Sequence, residues 1–441
     1  MADKSNRRLQ AVLNALQPPP SSLWKRIIVL PDDSKVDISP AHPSEVPTVI
    51  AIDGTAICAF KVLPRSIKLV ISSIGTPHEN SADHVPEFPV LELLPPSTID
   101  PNRGHSESRI SIGDVWAAIY ALNIIYHTQE TIPIQLALSL ANVEEITSYI
   151  IGSGLGRRRH VQQGVPSESE IYLSRDAFWQ GAGTLGFHAR GWLRTRLALQ
   201  GAAPFPRIPS FTRSPLVITS HPLRPPKPKP GECVYRRFCP SVGQTLDFTY
   251  VDPSDRPNGE ISPHLAAFHK WHNDERVNKG WGEAGPIEKH RKYLCDLMQD
   301  PGVLPLMMSW DGELMGYTEV TWVKESHVAG YIPDGVGEYD QGLHILVGED
   351  KFRGSKNLGP ERSRAWFTSI LHYIFISEPR TQRIVGEPKA SNPAAIKLSE
   401  DCGMTINTLF DLPYKRSVMT WLPREKFFRL GLLSKDPPRK A

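Results

Sequence analysis

Nine prolines lie between Pro204 and Pro230: Pro204, Pro206, Pro209, Pro215, Pro222, Pro225, Pro226, Pro228 and Pro230. Each fixes its own φ and lacks an N–H, so no regular helix or central strand can run through the stretch. The chain is therefore expected to fold as two parts. An N-terminal α/β domain over 1–203 and a C-terminal domain over 231–441 are joined by a semi-rigid proline-rich linker over 204–230. The length agrees, since 441 residues exceed what one core usually holds. A hydrophobic content of 40% with 22% charged residues excludes wholesale disorder. The formal net charge of +3 is too small to argue for nucleic acid. No apolar run is long enough to cross a bilayer, and the first residues lack the apolar segment expected of a secretory signal. The five cysteines are an odd number without a C-x-x-C pair. That suits a reduced intracellular compartment and no zinc site, with cytosol and peroxisome both open.

Before the prolines, residues 1–17 read as a short helix. Residues 24–100 alternate apolar and polar runs such as Arg26-Ile27-Ile28-Val29-Leu30, as strands and turns do. Ile112 to Tyr126 reads as a helix with Asp114 near its positive end. Glu170 to Leu173 reads as a strand, and Ser174 is placed to cap a helix starting near Asp176. Gly152-Ser153-Gly154-Leu155-Gly156 has the look of a dinucleotide fingerprint, but it follows a helical run and lacks a βαβ frame.

Beyond the prolines the pattern changes. Helices are expected over Ile261–Asn273 and Ile287–Leu297. Two strands, Leu304–Trp310 and Gly316–Trp322, meet at the hairpin signal Asp311-Gly312. A strand at His344–Val347, a helix over 361–376, a strand at Arg383–Gly386, a helix at Pro393–Cys402 and a strand at Ser417–Leu422 complete the run. His344 stands out within it. Strand alternation puts Gly342, His344 and Leu346 on one face, so an imidazole projects from an apolar strand just before a turn that could receive a phosphate. A neutral imidazole there can take a proton from an attacking nitrogen. The alternative is a core histidine held by a backbone carbonyl. Glu387 follows on the next strand, placed to orient the ring or to hold a substrate amine, and Asp340 is a second candidate for the orienting acid.

These residues carry a resemblance. His269-Lys270-Trp271-His272-Asn273 with Val277 and Trp281, Gly316-Tyr317-Thr318-Glu319-Val320-Thr321-Trp322, and Tyr339-Asp340-Gln341-Gly342-Leu343-His344 occur in order. Phe352-Arg353-Gly354, Glu387-Pro388, Asn392 and Leu412-Pro413-Tyr414-Lys415-Arg416 follow. Over roughly 255–428 this resembles the siderophore-pathway N-acyltransferases of the aerobactin and mycobactin type. The long N-terminal extension is similar to that of the fungal hydroxyornithine transacylases.

The resemblance implies a GNAT-type α/β fold in the C-terminal half and a GNAT-like or other α/β domain before it. It implies an acyl-CoA:N5-hydroxyornithine N-acyltransferase that forms the hydroxamate of an iron-acquiring siderophore, with acyl-CoA as co-substrate and no tightly bound cofactor or metal. His344, Glu387 and Asp340 would be catalytic. The CoA side would involve Leu346, Val347, Arg353, Gly354, Ser355, Lys356, Gly359 and Asn392, with a backbone N–H near Leu346 or Val347 on the oxyanion. Residues 351–359 depart from the family's usual phosphate turn, because the glycines are far apart and Pro360 follows directly. Asn392 is equally suited to capping the next helix. The acceptor would meet His269, Trp271, Asn273, Glu319, Trp322 and Lys415, although Trp271 suits a core position equally well. An anhydromevalonyl donor is expected, with acetyl as the alternative. A non-catalytic scaffold for a siderophore synthetase is the reading from a different class. A nonribosomal peptide synthetase is the implied pathway partner, and a homodimer is one arrangement left open.

Overall fold

The computed structural model describes residues 26–39, 47–68, 87–96, 108–158, 169–194, 209–353 and 359–433. The helix expected at 1–17 lies outside them. The chain divides into two compact units, Met1–Gly191 and Trp192–Ala441.

The first unit runs β1 (Arg26–Val29), β2 (Lys35–Ser39), β3 (Thr48–Ile52), β4 (Thr55–Lys68), β5 (Glu87–Leu94), α1 (Ile112–Ile125) and β6 (Thr131–Leu136). It continues with α2 (Val143–Gly152), β7 (Gly156–Arg157), β8 (Ile171–Ser174) and α3 (Arg175–Trp179). Its sheet order is β1-β2-β3-β4-β5-β6-β8-β7, and β5 and β6 are its parallel pair. The helix starts follow the sequence. Ser111 accepts from the Asp114 N–H at the head of α1, and Ser174 accepts from the Ala177 N–H at the head of α3. Trp116, Tyr120, Phe178 and Trp179 pack as one buried aromatic group behind the sheet.

The second unit opens with β9 (Pro209–Arg213) and β10 (Ile218–Pro222), an antiparallel hairpin inside the stretch expected to be a bare linker. The two strands pair only with each other, and Pro209 sits opposite Pro222 at the open end. A two-stranded ribbon leaves outward positions that need no N–H, so prolines are tolerated there. The division between the two compact units falls at 191/192.

Then come β11 (Cys233–Cys239), β12 (Gln244–Tyr250), α4 (Pro263–His272), α5 (Glu275–Trp281), α6 (Ile287–Gln299), β13 (Val303–Trp310) and β14 (Glu313–Trp322). The remainder is β15 (Gln341–Val347), α7 (Gly359–Ser377), β16 (Arg383–Gly386), α8 (Pro393–Asp401), β17 (Thr405–Leu412), β18 (Lys415–Pro423) and α9 (Arg424–Leu430). The sheet order is β11-β12-β13-β14-β15-β16-β18-β17, again with one parallel pair, β15 and β16. This is the order of the first unit, strand for strand. The helices after the fifth, sixth and eighth strands recur as well. Among the described residues the first unit has no counterpart of α4–α6, and only eight residues separate β2 from β3.

In the second unit α4 starts at Ser262, whose hydroxyl accepts from His264 and Leu265 N–H, with Pro263 in the first turn. It buries Leu265, Phe268 and Trp271 against Met307, Tyr317 and Leu346 of the sheet. Each such fully buried apolar side chain contributes about 1.5–3 kcal/mol. The hairpin between β13 and β14 turns at Asp311 and Gly312, with φ of 48° and 81°, as the sequence signal requires. Among the described residues no helix is long and apolar enough to cross a membrane.

Candidate active site

The site is built where two parallel strands part. β15 and β16 pair only at Gln341↔Ile384 and Gly342↔Val385. β15 then runs on to Val347 without a partner on that edge. His344 lies two residues past the last pair on one strand, and Glu387 two past it on the other. Their side chains meet across the opening, His344 Nε2 to Glu387 Oε1 at 3.0 Å. On its other edge β15 is antiparallel to β14, with Glu319 opposite His344. Cross-strand partners share a face, and His344 Nδ1 meets Glu319 Oε2 at 3.0 Å.

Glu319 is 4% exposed and anchors the cluster. Its second oxygen accepts from Tyr293 Oη at 2.7 Å and Tyr317 Oη at 3.0 Å. Burial by itself would raise its pKa. Hydrogen bonds from His344, Tyr293 and Tyr317 reverse this and leave the carboxyl below its ordinary value. Glu387 behaves alike: burial is outweighed by His344 and by Lys415, whose ammonium contacts Glu387 Oε2. For His344 burial lowers the pKa, but its hydrogen bonds to Glu319 and Glu387 prevail and raise it to about 10. Tyr293 is pushed upward by burial and by the Glu319 charge. The His344 side chain is 45% exposed against 6% for Glu319 and 8% for Glu387, so the imidazole is the part of the cluster open to solvent.

Around this centre the candidate residues divide. His344, Glu387, Glu319 and Lys415 come together. Glu319, expected in the acceptor pocket, stands behind the imidazole as the acid that Asp340 was a candidate to be. Asp340 instead binds Arg383 at 2.7 Å and the Gly337 N–H at 2.9 Å, while both ring nitrogens of His344 are taken by the glutamates. Trp322 falls on the face opposite Glu319 by strand alternation, with Arg224 stacked on its ring at 4.1 Å. Trp271 is a core residue, 1% exposed, its Nε1 donating to Glu349 at 2.8 Å. Asn273 caps the end of α4 and exchanges hydrogen bonds with Gly285. His269 faces His290, with the Nδ1 atoms 2.8 Å apart.

On the expected CoA side, Gly354, Ser355 and Lys356 lie outside the described residues. Gly359 opens α7. Arg353 is exposed beside Asp350, 3.3 Å away. Asn392 caps α8, accepting from the Ala395 N–H at 3.2 Å. The Gly348 N–H donates to the Met315 carbonyl, so antiparallel alternation turns the Leu346 N–H toward β14. Leu343, Ile345 and Val347 then face the open edge, and the Val347 carbonyl accepts from Arg276 at 3.0 Å.

Several residues at the site were given no role there from the sequence. Tyr317 sits two positions before Glu319 on one strand face, a readable signal. Tyr293 comes from α6, and nothing local announces its contact. Trp281 approaches His344 edge-on, with centroids 6.3 Å apart. His327 Nε2 and Tyr414 Oη pair at 2.7 Å, next in the chain to Lys415. The His327 ring is held below its ordinary pKa by burial, against an opposing pull from Glu387.

The family model for an acetyltransferase (GNAT) domain matches residues 260–412. The chain is 40% identical to acyltransferase ato1 of Omphalotus olearius, over 82% of this chain and 87% of that protein. It is 33% identical to hydroxyornithine transacylase SID3 of Ajellomyces capsulatus, over 74% and 73% respectively. It is 35% identical to the N(5)-hydroxyornithine:cis-anhydromevalonyl coenzyme A-N(5)-transacylase SIDF of Beauveria bassiana, over 58% and 57%.

Proposed function

The chain belongs to the GNAT-type siderophore N-acyltransferase family that includes the hydroxyornithine transacylases, and we propose that it transfers an acyl group from acyl-CoA to the side-chain nitrogen of N5-hydroxyornithine. The observation that carries this reading is the imidazole of His344 between Glu319 and Glu387, at the mouth of two diverging parallel strands. The edge of β15 offers a pantetheine arm the backbone groups of Leu343 and Ile345, the Val347 carbonyl being taken by Arg276. Of the two residues considered for the oxyanion, Val347 is the one whose N–H faces that edge, and it takes that role here. The pyrophosphate belongs at the start of α7, where N–H groups and the helix dipole favour an anion. The attacking nitrogen forms its bond to the thioester carbon, the carbon–sulfur bond breaks, and the released proton is handled by the His344–Glu387 pair. The products are a hydroxamate and free CoA thiol.

An anhydromevalonyl donor is proposed because a relative 35% identical carries that specificity in its name. Thiol release from a panel of acyl-CoAs with N5-hydroxyornithine tests the reading. Turnover with one preferred donor is expected. In His344→Ala it should fall at least about 100-fold, in line with a positioned acid–base group, while CoA binding persists. A folded protein that releases no thiol from any donor would leave the scaffold reading in its place.

A further inference from the structure

The contacts of His344 hold more than its position. An ionised carboxylate only accepts hydrogen bonds, and a neutral imidazole has one N–H to give. Glu319 Oε2 and Glu387 Oε1 each stand 3.0 Å from a different ring nitrogen. Both contacts are satisfied at once when both nitrogens carry protons. The surroundings agree. Tyr293 from α6 and Tyr317 from β14 donate to Glu319 and hold it ionised. Lys415 from β18 does the same for Glu387. Burial holds the His327 ring, beside the cluster, below its ordinary pKa. Two carboxylates thus face one imidazolium and one ammonium, and the charges close.

We propose that His344 works as a standing imidazolium, so that Glu387 receives the proton of the attacking nitrogen, His344 donates to the departing sulfur, and the cluster admits a neutral hydroxylamine while turning away an ammonium. The assignment rests on the acyl transfer proposed above and specifies its proton route. As the nitrogen–carbon bond forms, the N–H proton passes to Glu387. As the carbon–sulfur bond breaks, the Nε2 proton of His344 passes to the thiolate. Glu387 then returns its proton to His344, and the pair ends as it began. Selectivity follows from the same charges. A plain side-chain amine is an ammonium at pH 7, with a pKa of about 10.4 for a lysine-like group. It would need a carboxylate of its own, and both are already paired with cations. The oxygen of a hydroxylamine withdraws electron density, so that nitrogen arrives neutral and nucleophilic.

Histidine 15N NMR on the full chain tests the ring directly, with His344→Gln to assign its signals. Both His344 nitrogens are expected to be protonated at pH 8, and a neutral ring at that pH overturns the proposal. Ornithine, used as an inhibitor of the acyl transfer, tests the selectivity. Its inhibition constant should tighten about tenfold for each pH unit between 7 and 9 as the ammonium deprotonates. A constant independent of pH overturns it. Thiol release with hydroxyornithine in the same preparation reads the function separately. Its absence overturns acyl transfer and proton route together, whereas a neutral ring with normal thiol release overturns the proton route alone.

Discussion

Glu319 holds the cluster in place, and its substitutions separate charge from shape. In Glu319→Gln one oxygen still accepts from Tyr293 and Tyr317, but an amide now faces Nδ1 of His344, which must present a lone pair. Folding should survive while kcat/KM falls about 100-fold, measured by steady-state thiol release. Glu319→Ala removes the anion and leaves two buried hydroxyls and a cation without it. Breaking a buried pair in this way costs about 3–5 kcal/mol, which urea unfolding would register. The titration of His344 has a definite sign. Its pKa is about 10 in the folded state against an ordinary 6.5, so the folded state binds the proton more tightly. That stabilisation is complete below pH 6.5 and is lost as the pH rises through 10. The urea midpoint should therefore fall across that window, and His344→Gln should flatten the slope; equal slopes in both proteins would refute the assignment. His344 stood out in the sequence because it lies on a short apolar strand beside a turn, and Glu387 because it directly follows another. Asp340 was misleading because it is near His344 in sequence, whereas the side chain that claims it, Arg383, lies on the next parallel strand. Tyr293 was invisible, since its bond joins α6 to β14 and no local period encodes it.

At the level of elements, the cluster depends on how closely β14 approaches β15. Gly316 makes that approach possible: a Cβ there would lie 2.3 Å from the Leu346 carbonyl oxygen, a backbone atom with no freedom to move aside. Gly316→Ala must push the strands apart three residues from Glu319. A loss of about 1–3 kcal/mol is expected, with a lowered melting temperature and reduced turnover. Gly280, inside α5, provides the control, because nothing lies within 4 Å of its Cβ position. Gly280→Ala should be neutral or stabilising by about 0.5–1 kcal/mol through helix propensity. A Gly316→Ala variant as stable as Gly280→Ala would disprove the close-approach argument. Alternation and turn chemistry gave most of these elements correctly, including the Asp311-Gly312 hairpin. The proline stretch was harder, because a ribbon paired only with itself shows the same composition as a linker.

At the scale of the whole molecule, one chain carries the same strand order twice, and the two copies differ where chemistry would occur. In the first unit the parallel pair stays joined at Leu91↔Ile134, Glu92↔Gln135 and Leu93↔Leu136, and the Ala137 N–H still reaches the Leu93 carbonyl at 3.0 Å. Ala59, Leu94 and Ala137 close over its end as a small apolar cluster. Among the described residues no edge of this pair is left open as that of β15 is. The residues two positions past the last pair are Pro95 and Leu138, where the second unit has His344 and Glu387, and neither can carry a proton. The helix that would meet a pyrophosphate, α1, has Asp114 in its first turn, hydrogen-bonded by Ser111 at 2.7 Å and ion-paired with Arg190 at 2.7 Å. α7 also has an acid, Glu361, in its first turn, so the distinction between the two units rests on the strands and not on the helix start. Calorimetry with CoA should therefore find one site per chain. Charge-reducing Asp114→Asn should leave that stoichiometry and kcat unchanged, because the second unit alone has the opened strands and the imidazole. Two CoA molecules per chain, or a drop in kcat on substituting Asp114 in a folded protein, would mean that the closed parallel pair of the first unit opens to ligand after all.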